Sequence, residues 1–397
     1  MPNSTTSVVR SADDLLTGLD EIAPQLAADL DADEDAGQIS QKAFNLLEAG
    51  GYTNMLAASE FGGLDLGPLD GLRVMERLSE IDVATAWTVM ILNTHLKDLH
   101  YLDPAAVVQL YTDGPPRIAG QGAPMGKAEK VVGGYRVTGR WSYASALPFA
   151  DFVVTLAVVV KDGTPVKLPS GAPDVIIFIT PKDNVSDDGN WKVLGLRASG
   201  SNDYSMNDVF VPEEMTRSNV YQADFQWGGR SALLTMTGWL LWDHTSIELG
   251  LGRRLLDELA AYARQASTRR GRLADSPVFN SEFAQAEASF RSARAWVYRV
   301  WEDVQSAIDA DRPLGRAQLT ETRAAMLHIH DVNERNASFV FRQAGGASLR
   351  SGTLQRLCRD AMATGQHILL STSSYVDCGR DFLGEAEGQQ WSYYNLV

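Results

Sequence analysis

The side chains in this sequence that can do chemistry are few: six histidines, two cysteines, and a scattering of serines, arginines and carboxylates beside them. An imidazole titrates near pH 6.5 and can take or deliver a proton at neutral pH. His367, His95 (in Asn93-Thr94-His95-Leu96-Lys97-Asp98) and His244 beside Asp243 are therefore candidates for acid–base work or substrate contact. His100 follows His95 by little more than a helical turn and reads as solvated. His328 and His330 stand two apart, on different faces of a helix, which makes a poor metal pair and leaves them as packing residues. Cys358 and Cys378 cannot build a disulfide framework and lack the spacing of a zinc site, so they read as ordinary thiols. Trp141-Ser142-Tyr143-Ala144-Ser145-Ala146 offers hydroxyls, Ser145 above all, that can donate a hydrogen bond. Arg269 and Arg270 carry the donor fork that suits phosphate.

Absences narrow the chemistry. No G-x-G-x-x-G follows a strand, and there is no Walker sequence and no G-x-S-x-G elbow, so a nicotinamide cofactor is not expected to bind directly. The acidic run Asp29 to Asp35 lacks the glycine and terminal glutamate of a calcium loop and reads as a solvated helix end. A formal charge of −15 disfavours a nucleic-acid surface. The apolar runs Phe152 to Val160 and Val175 to Thr180 are too short to cross a bilayer, and the first residues lack a basic region followed by an apolar one. A soluble, cytoplasmic protein with no membrane partner is expected.

The elements that must position these residues come in three blocks. The 397 residues, 45% of them hydrophobic, suffice for one large core or for domains that share interfaces. From Ala12 to Gln109 apolar residues recur at helical spacing, as in Leu15, Leu16, Leu19, Ile22 and Leu26. Between Ile118 and Pro212 the chain turns to strands: Tyr135 to Trp141 alternates, Phe152 to Val160 and Val175 to Thr180 read as buried strands, and Asp208 to Val211 precedes Pro212. Helical periodicity returns in Leu251 to Ala266, Phe283 to Ala310 and Leu319 to Gln343, broken at Pro313 and Gly345-Gly346, and helices of that length form a bundle. The expected class is α+β, mainly α: an N-terminal helical domain over 1–115, a central β-barrel-like domain over 116–225, and a C-terminal four-helix bundle over 226–397.

That order and five strings resemble the acyl-CoA dehydrogenase superfamily over nearly the whole chain. The strings are Glu60-Phe61-Gly62-Gly63-Leu64 with Glu76 to Asp82, Gly133 to Trp141, Trp191 to Ser201 with Val209 to Pro212, Gln343-Ala344-Gly345-Gly346, and Leu354 to Asp360. The second and third are similar to the family's flavin-facing strands. The last two match its GG turn and the start of its "R-x-x-R-D" helix. The resemblance implies a flavin ring held between the β domain and the bundle, its phosphates reaching Gln343, Gly345 and Gly346 of a neighbouring subunit in a homotetramer, with Arg269 in a loop that faces phosphate.

The family's dehydrogenases use a glutamate just after the R-D helix start, or a second one on the helix before Gly250-Leu251-Gly252. Here the first position falls on or beside Ile368 and the second on Leu240 or Leu241. A histidine at the first place, His367, instead resembles the two-component flavin-dependent monooxygenases of this fold. These accept reduced FMN or FAD from a separate flavin reductase, form a C4a-hydroperoxide with O2, and hydroxylate or N-oxygenate small organic substrates. The resemblance assigns catalytic roles to His367, Ser145 and His95. It gives flavin contacts to Trp141, Ser142, Ser145, Arg269, Gln343, Gly345 and Gly346, and substrate contacts to His95, His244 and Asp243. The alternative is an acyl-CoA dehydrogenase or oxidase acting on a thioester, with Asp243 or Glu248 recruited as base.

Overall fold

Side-chain caps mark where the N-terminal helices start. Ser11 and Asp14 close a reciprocal capping box ahead of α1 (Ala12–Leu26), and Asp82 accepts the Thr85 N–H ahead of α5 (Val83–Asp98). Between them lie α2 (Leu30–Ala36), α3 (Gln41–Ala49) and α4 (Pro68–Ile81), and α6 (Pro104–Leu110) follows. The computed structural model describes residues 10–112, 114–268 and 271–397.

Helix α5 is buried on nearly every side, because a helix apolar all round must lie inside. It is the spine against which the β domain and the bundle meet. The acidic run that reads as a solvated helix end is α2 itself: Glu34 pairs with Arg359 at 2.8 Å, and Asp31 pairs with Arg356.

The central segment forms an eight-stranded sheet in the order β6-β7-β2-β1-β3-β5-β8, with β4 paired to β3. Its strands are β1 (Ile118–Val131), β2 (Gly134–Ala144), β3 (Phe152–Lys161), β4 (Thr164–Pro165), β5 (Val175–Pro181), β6 (Ser186–Asp187), β7 (Asn202–Pro212) and β8 (Thr216–Arg217). The sheet curls around its own apolar core, which includes Trp141, Phe178 and Tyr204, so it is barrel-like. Two bulges matter later. Pairing of β1 with β3 breaks between Gln121 and Gly126, and pairing of β2 with β7 breaks between Trp141 and Ala144, where Tyr143 has φ 69°. The stretch Trp191 to Ser201, expected as a strand, is an irregular loop: Gly195 packs so tightly on α10 (Thr353–Thr364) that a Cβ there would lie 2.3 Å from the Arg359 carbonyl oxygen.

The last block consists of the long helices α7 (Thr235–Gln265), α8 (Pro277–Asp309) and α9 (Arg316–Ala344), then α10 and α11 (Thr372–Phe382). Gly250 lets α7 cross α4 at backbone contact, since a Cβ there would come within 2.2 Å of the Glu76 carbonyl oxygen. The chain closes on a hairpin pairing Trp391–Ser392 with Asn395–Leu396.

Candidate active site

The R-x-x-R-D string does its work by holding a loop. Arg359 Nη1 donates to the Leu194 carbonyl at 2.6 Å, and Asp360 Oδ1 accepts the Leu196 N–H at 2.7 Å. Leu194, Gly195 and Leu196 are thereby fixed as one wall of a cavity of about 880 Å³ between the sheet, α5, α7 and α10. Its lining is mostly apolar. The polar exceptions include Gln121, Ser142 and Ser145, which stand at or beside the two bulges.

Ser145 lines this cavity and is buried. Its Oγ accepts the Trp87 Nε1–H at 2.9 Å and lies 2.7 Å from Ser201 Oγ, which in turn lies 2.6 Å from Ser199 Oγ. With Ser199 donating to Ser201 and Ser201 to Ser145, the Ser145 hydroxyl keeps its own proton for a ligand. Trp141 is placed differently from its expected role. It lies inside the sheet, stacked on Tyr204 with ring centroids 5.4 Å apart, and donates to the Leu156 carbonyl at 3.0 Å. It supports the cavity wall from behind because alternation along β2 turns its side chain into the sheet core.

His367 stands in the cavity wall, but beyond the R-D helix rather than on it. Helix α10 ends at Gly365, and His367 caps a 3₁₀ turn over Ile368–Leu370, its Nδ1 accepting the Leu369 N–H at 3.3 Å. In the neutral ring the proton therefore sits on Nε2. His244 stacks against it at 4.0 Å between centroids, and Trp87 meets the other side of His244 edge-on at 5.5 Å. Burial, with the charge of His330 opposing, brings the His367 pKa down to about 4, and burial holds His244 well below its usual range. Both rings are neutral at physiological pH.

His95 has the opposite polarity. Its Nδ1 lies 2.7 Å from Asp98 Oδ2, so the carboxylate holds the Nδ1 proton, and Nε2 is a buried atom without a protein partner. The neutral ring presents a lone pair. Asp243 accepts a hydrogen bond from Thr94 Oγ1, and burial raises its pKa well above the carboxylate range.

Other candidates fall elsewhere. Gln343 bonds Glu282 at 2.8 Å, and it, Gly345 and Gly346 stand away from this chain's cavity. Arg269 lies outside the described residues. His100 is buried, not solvated: it stacks on Trp227 with centroids 4.3 Å apart, because the chain after β8 folds back over it. His330 is a packing residue, as expected, but it backs the site, with Nδ1 3.2 Å from Glu248 Oε1 and its ring 6.3 Å from that of His244. Glu248 itself does not line the cavity.

Sequence reasoning missed Trp87, Ser201, Asp98, Tyr393 and Tyr394, all of which line the cavity. Asp98 carried a signal, standing three residues after His95 on one helix. Trp87 meets Ser145 from 58 positions away and carried none.

Comparison with known proteins agrees with this geometry. The family model described as acyl-CoA dehydrogenase, C-terminal domain, matches residues 244–372. The chain is 29% identical over 366 residues to indole-3-acetate monooxygenase of Pseudomonas putida, covering 87% of this chain and 88% of that protein. It is 27% identical over 374 residues to the flavin-dependent monooxygenase oxygenase subunit HsaA of Mycobacterium tuberculosis, covering 90% and 92%. A crystal structure of that HsaA superposes with a TM-score of 0.84 at 25% identity, over 94% of this chain and 98% of the other. XiaF from Streptomyces, solved with FADH2 and glycerol, shares the fold with a TM-score of 0.85 at 22% identity, over 94% and 96%. Residues 244–372 thus match the acyl-CoA dehydrogenase C-terminal domain, and over nearly its whole length the chain is similar to flavin-dependent monooxygenases.

Proposed function

We propose that the chain is the oxygenase component of a two-component flavin-dependent monooxygenase, which takes reduced FMN or FAD from a separate reductase and uses O2 to hydroxylate or N-oxygenate a small organic substrate. One observation carries the reading. Two uncharged imidazoles, His244 and His367, stand in the cavity wall where a thioester dehydrogenase needs an ionised carboxylate. The dehydrogenase reading lacks its base: Leu240 and Ile368 fill the expected positions, burial pushes the Asp243 carboxyl well above the carboxylate range, and Glu248 lies outside the cavity.

The cavity suits a flavin ring, with apolar faces and polar residues such as Gln121, Ser142 and Ser145 at or beside the two bulges. Ser142, Ser145 and the loop at Leu194 to Leu196 would hold the ring, and Trp141 would brace that wall. Gln343, Gly345 and Gly346 would serve the phosphate end of a neighbouring copy's cofactor, with Arg269 as a further phosphate contact. Bound reduced flavin supplies the two electrons that activate O2, one oxygen atom entering the substrate and the other leaving as water.

The protein's own part is proton handling and orientation. His95 Nε2 accepts the proton of a substrate O–H or N–H, and Asp98 stabilises the imidazolium that forms. The His367 Nε2–H donates a hydrogen bond to the departing oxygen. The Ser145 hydroxyl donates a hydrogen bond at the flavin edge. His244 and Asp243 shape the substrate's side of the cavity.

We further propose a cytoplasmic homotetramer with three domains divided near 115 and 225. Its support is an exposed apolar face on α11, formed by Tyr375, Val376, Phe382 and Leu383, that a second copy would cover. Among the described residues no helix is long and apolar enough to cross a membrane. Neither nucleic acid nor a membrane is a partner in this reading.

The test supplies reduced flavin to the protein in aerated buffer. Oxidised-flavin absorbance should return more slowly than for free flavin, and a phenol or amine panel should yield an oxygenated product. Reoxidation at the free-flavin rate with every candidate would sink the proposal, and bleaching of a bound oxidised flavin by an acyl-CoA would replace it with the dehydrogenase reading.

A further inference from the structure

We infer that the cavity selects an uncharged or cationic aromatic substrate over one bearing a carboxylate, and that Asp98 and Tyr394 make the selection. The inference rests on the oxygenase reading for the statement that the molecule in the cavity is a substrate.

Helix α5 lies along the cavity, so Trp87 and Asp98 mark places about 16 Å apart at ~1.5 Å of rise per residue. Ser145, His244 and His367 gather at the Trp87 end. The Asp98 end is finished by the hairpin at Trp391 to Leu396, whose turn carries Tyr393 and Tyr394 into the cavity wall. Tyr393 has φ 49°, a conformation that a tyrosine adopts only when its surroundings impose it. The Tyr393 carbonyl accepts from Arg323 Nη2 at 2.7 Å, its N–H donates to Thr237 Oγ1 at 3.2 Å, and Trp391 Nε1 donates to Thr320 Oγ1 at 2.7 Å. The hairpin is thus anchored to α7 and α9 while its tyrosines face inward.

The two hydroxyls differ. Tyr393 Oη is already paired with Tyr101 Oη at 3.0 Å. Tyr394 Oη reaches across to β1 and packs on Gly122, where a Cβ would lie 3.2 Å from it, closer than an ordinary contact. Among the described residues the Tyr394 hydroxyl has no hydrogen-bond partner, and burial raises its pKa to about 12, so it is a donor held ready for a ligand.

The charges decide the class of that ligand. Among the described residues no lysine or arginine lines the cavity, whereas the carboxyl groups of Asp98, Asp243 and Glu334 do. The buried cations nearby stand behind the lining: Lys97 Nζ sits 4.7 Å over the Trp239 ring, and Arg323 lies 4.2 Å over the Trp391 ring with Nη2 on the Tyr393 carbonyl. A carboxylate entering this space sheds water, meets no cation and faces Asp98. A hydroxyl accepts from Tyr394 and donates to Asp98, and an ammonium pairs with Asp98 directly. The preference should therefore separate this chain from the P. putida relative, which is named for indole-3-acetate.

Three phenols that differ only in the group ending a short side chain make the test: tyrosol (hydroxyl), tyramine (ammonium) and 4-hydroxyphenylacetate (carboxylate). Calorimetric titration into the full-length protein loaded with oxidised flavin at neutral pH reads binding without turnover. Tyrosol and tyramine should bind at least about tenfold more tightly than 4-hydroxyphenylacetate. Asp98→Asn should narrow the gap between tyramine and 4-hydroxyphenylacetate to about threefold or less, and Tyr394→Phe should weaken tyrosol by roughly three- to tenfold. Equal or tighter binding of 4-hydroxyphenylacetate by the unaltered protein overturns the inference, as does failure of all three to bind or a gap that neither substitution changes. Selective binding with no oxygenated product would remove the oxygenase reading and keep the selection, whereas oxygenation without selectivity would do the reverse.

Discussion

The imidazoles of His244 and His367 lie 4.0 Å apart between ring centroids and 31° from parallel, one from the middle of α7 and the other from the turn after α10. Burial is the main reason that both rings titrate below the usual histidine range; the charge of His367 adds to it for His244, and that of His330 for both. His367→Ala should lower product formation by roughly 10²- to 10³-fold, the usual share of one positioned hydrogen-bond donor, while flavin affinity changes little. Single-turnover product yield and flavin titration of the variant measure the two separately. Equal loss of both would make His367 a structural residue.

The same ring sets the acid limb of the pH profile. Protonation would fall on Nδ1 and end the bond from the Leu369 N–H that holds the ring in place, and with a pKa near 4 the ring stays neutral well below the 6.5 of an ordinary histidine. On its account activity is present above about pH 5 and lost as pH falls through about 4. A profile of turnover against pH that drops near 6.5 in the unaltered protein, and loses that step in His367→Asn, would show that the ring titrates as a solvated histidine and would refute the assignment.

His95 should respond to the acidity of the substrate. With Nδ1 tied to Asp98, its free Nε2 is the acceptor for a substrate proton. His95→Phe should cost phenol hydroxylation roughly 10²-fold or more, and a phenol of lower pKa, already ionised in solution, should recover much of it. If strongly and weakly acidic phenols lose the same factor, His95 binds substrate without taking its proton.

How much of this site the sequence disclosed depended on how far apart the partners lie in the chain. Periodicities of two and 3.6 reflect local burial, and they gave the α, β, α order, with α8 and α9 near their observed limits but only the second half of α7. His367, Ser145 and His95 were found because each sits in a short string or beside a neighbour on its own helix. The loop at Trp191 to Ser201 was misread as a strand because its shape is imposed by Arg359 and Asp360, more than 160 positions later. His100 was misread as solvated because its cover, Phe225 and Trp227, comes from beyond the sheet. Trp141 was assigned to the flavin because its string suggested a wall residue, but strand alternation turns the side chain to the other face. The tyrosine-rich hairpin drew no notice, since its role arises only where it closes over α5.

Ser145 joins two functions in one hydroxyl. Replacing it with alanine should speed reoxidation of bound reduced flavin and lower the yield of oxygenated product, because a donor at the flavin edge is lost. It also strands the buried Trp87 N–H, which should cost roughly 1–3 kcal/mol of stability. Stopped-flow reoxidation and chemical denaturation measure the two effects. Loss of stability with unchanged reoxidation would leave Ser145 as a tether for Trp87 alone.

Glu248 provides a test of the bundle behind the site. Its carboxylate is fully buried, accepts from Asn333 Nδ2 at 2.6 Å, and has its pKa raised by burial to about 7. The unfolded group titrates near its ordinary 4.5. A carboxyl with a raised folded pKa favours the folded state when protonated, so its effect on stability is harmless below about pH 4.5 and becomes a cost as pH rises through about 7. Glutamine keeps the shape and the neutral charge at every pH. Glu248→Gln should therefore leave stability nearly unchanged at pH 4.5 and raise it by about 3 kcal/mol at pH 8, the size that a rise from 4.5 to about 7 implies. Urea denaturation of both proteins at the two pH values decides it. A gain equal at both pH values would mean that Glu248 is ionised in the folded protein throughout, and that the neutral wall behind His244 and His330 includes a charge after all.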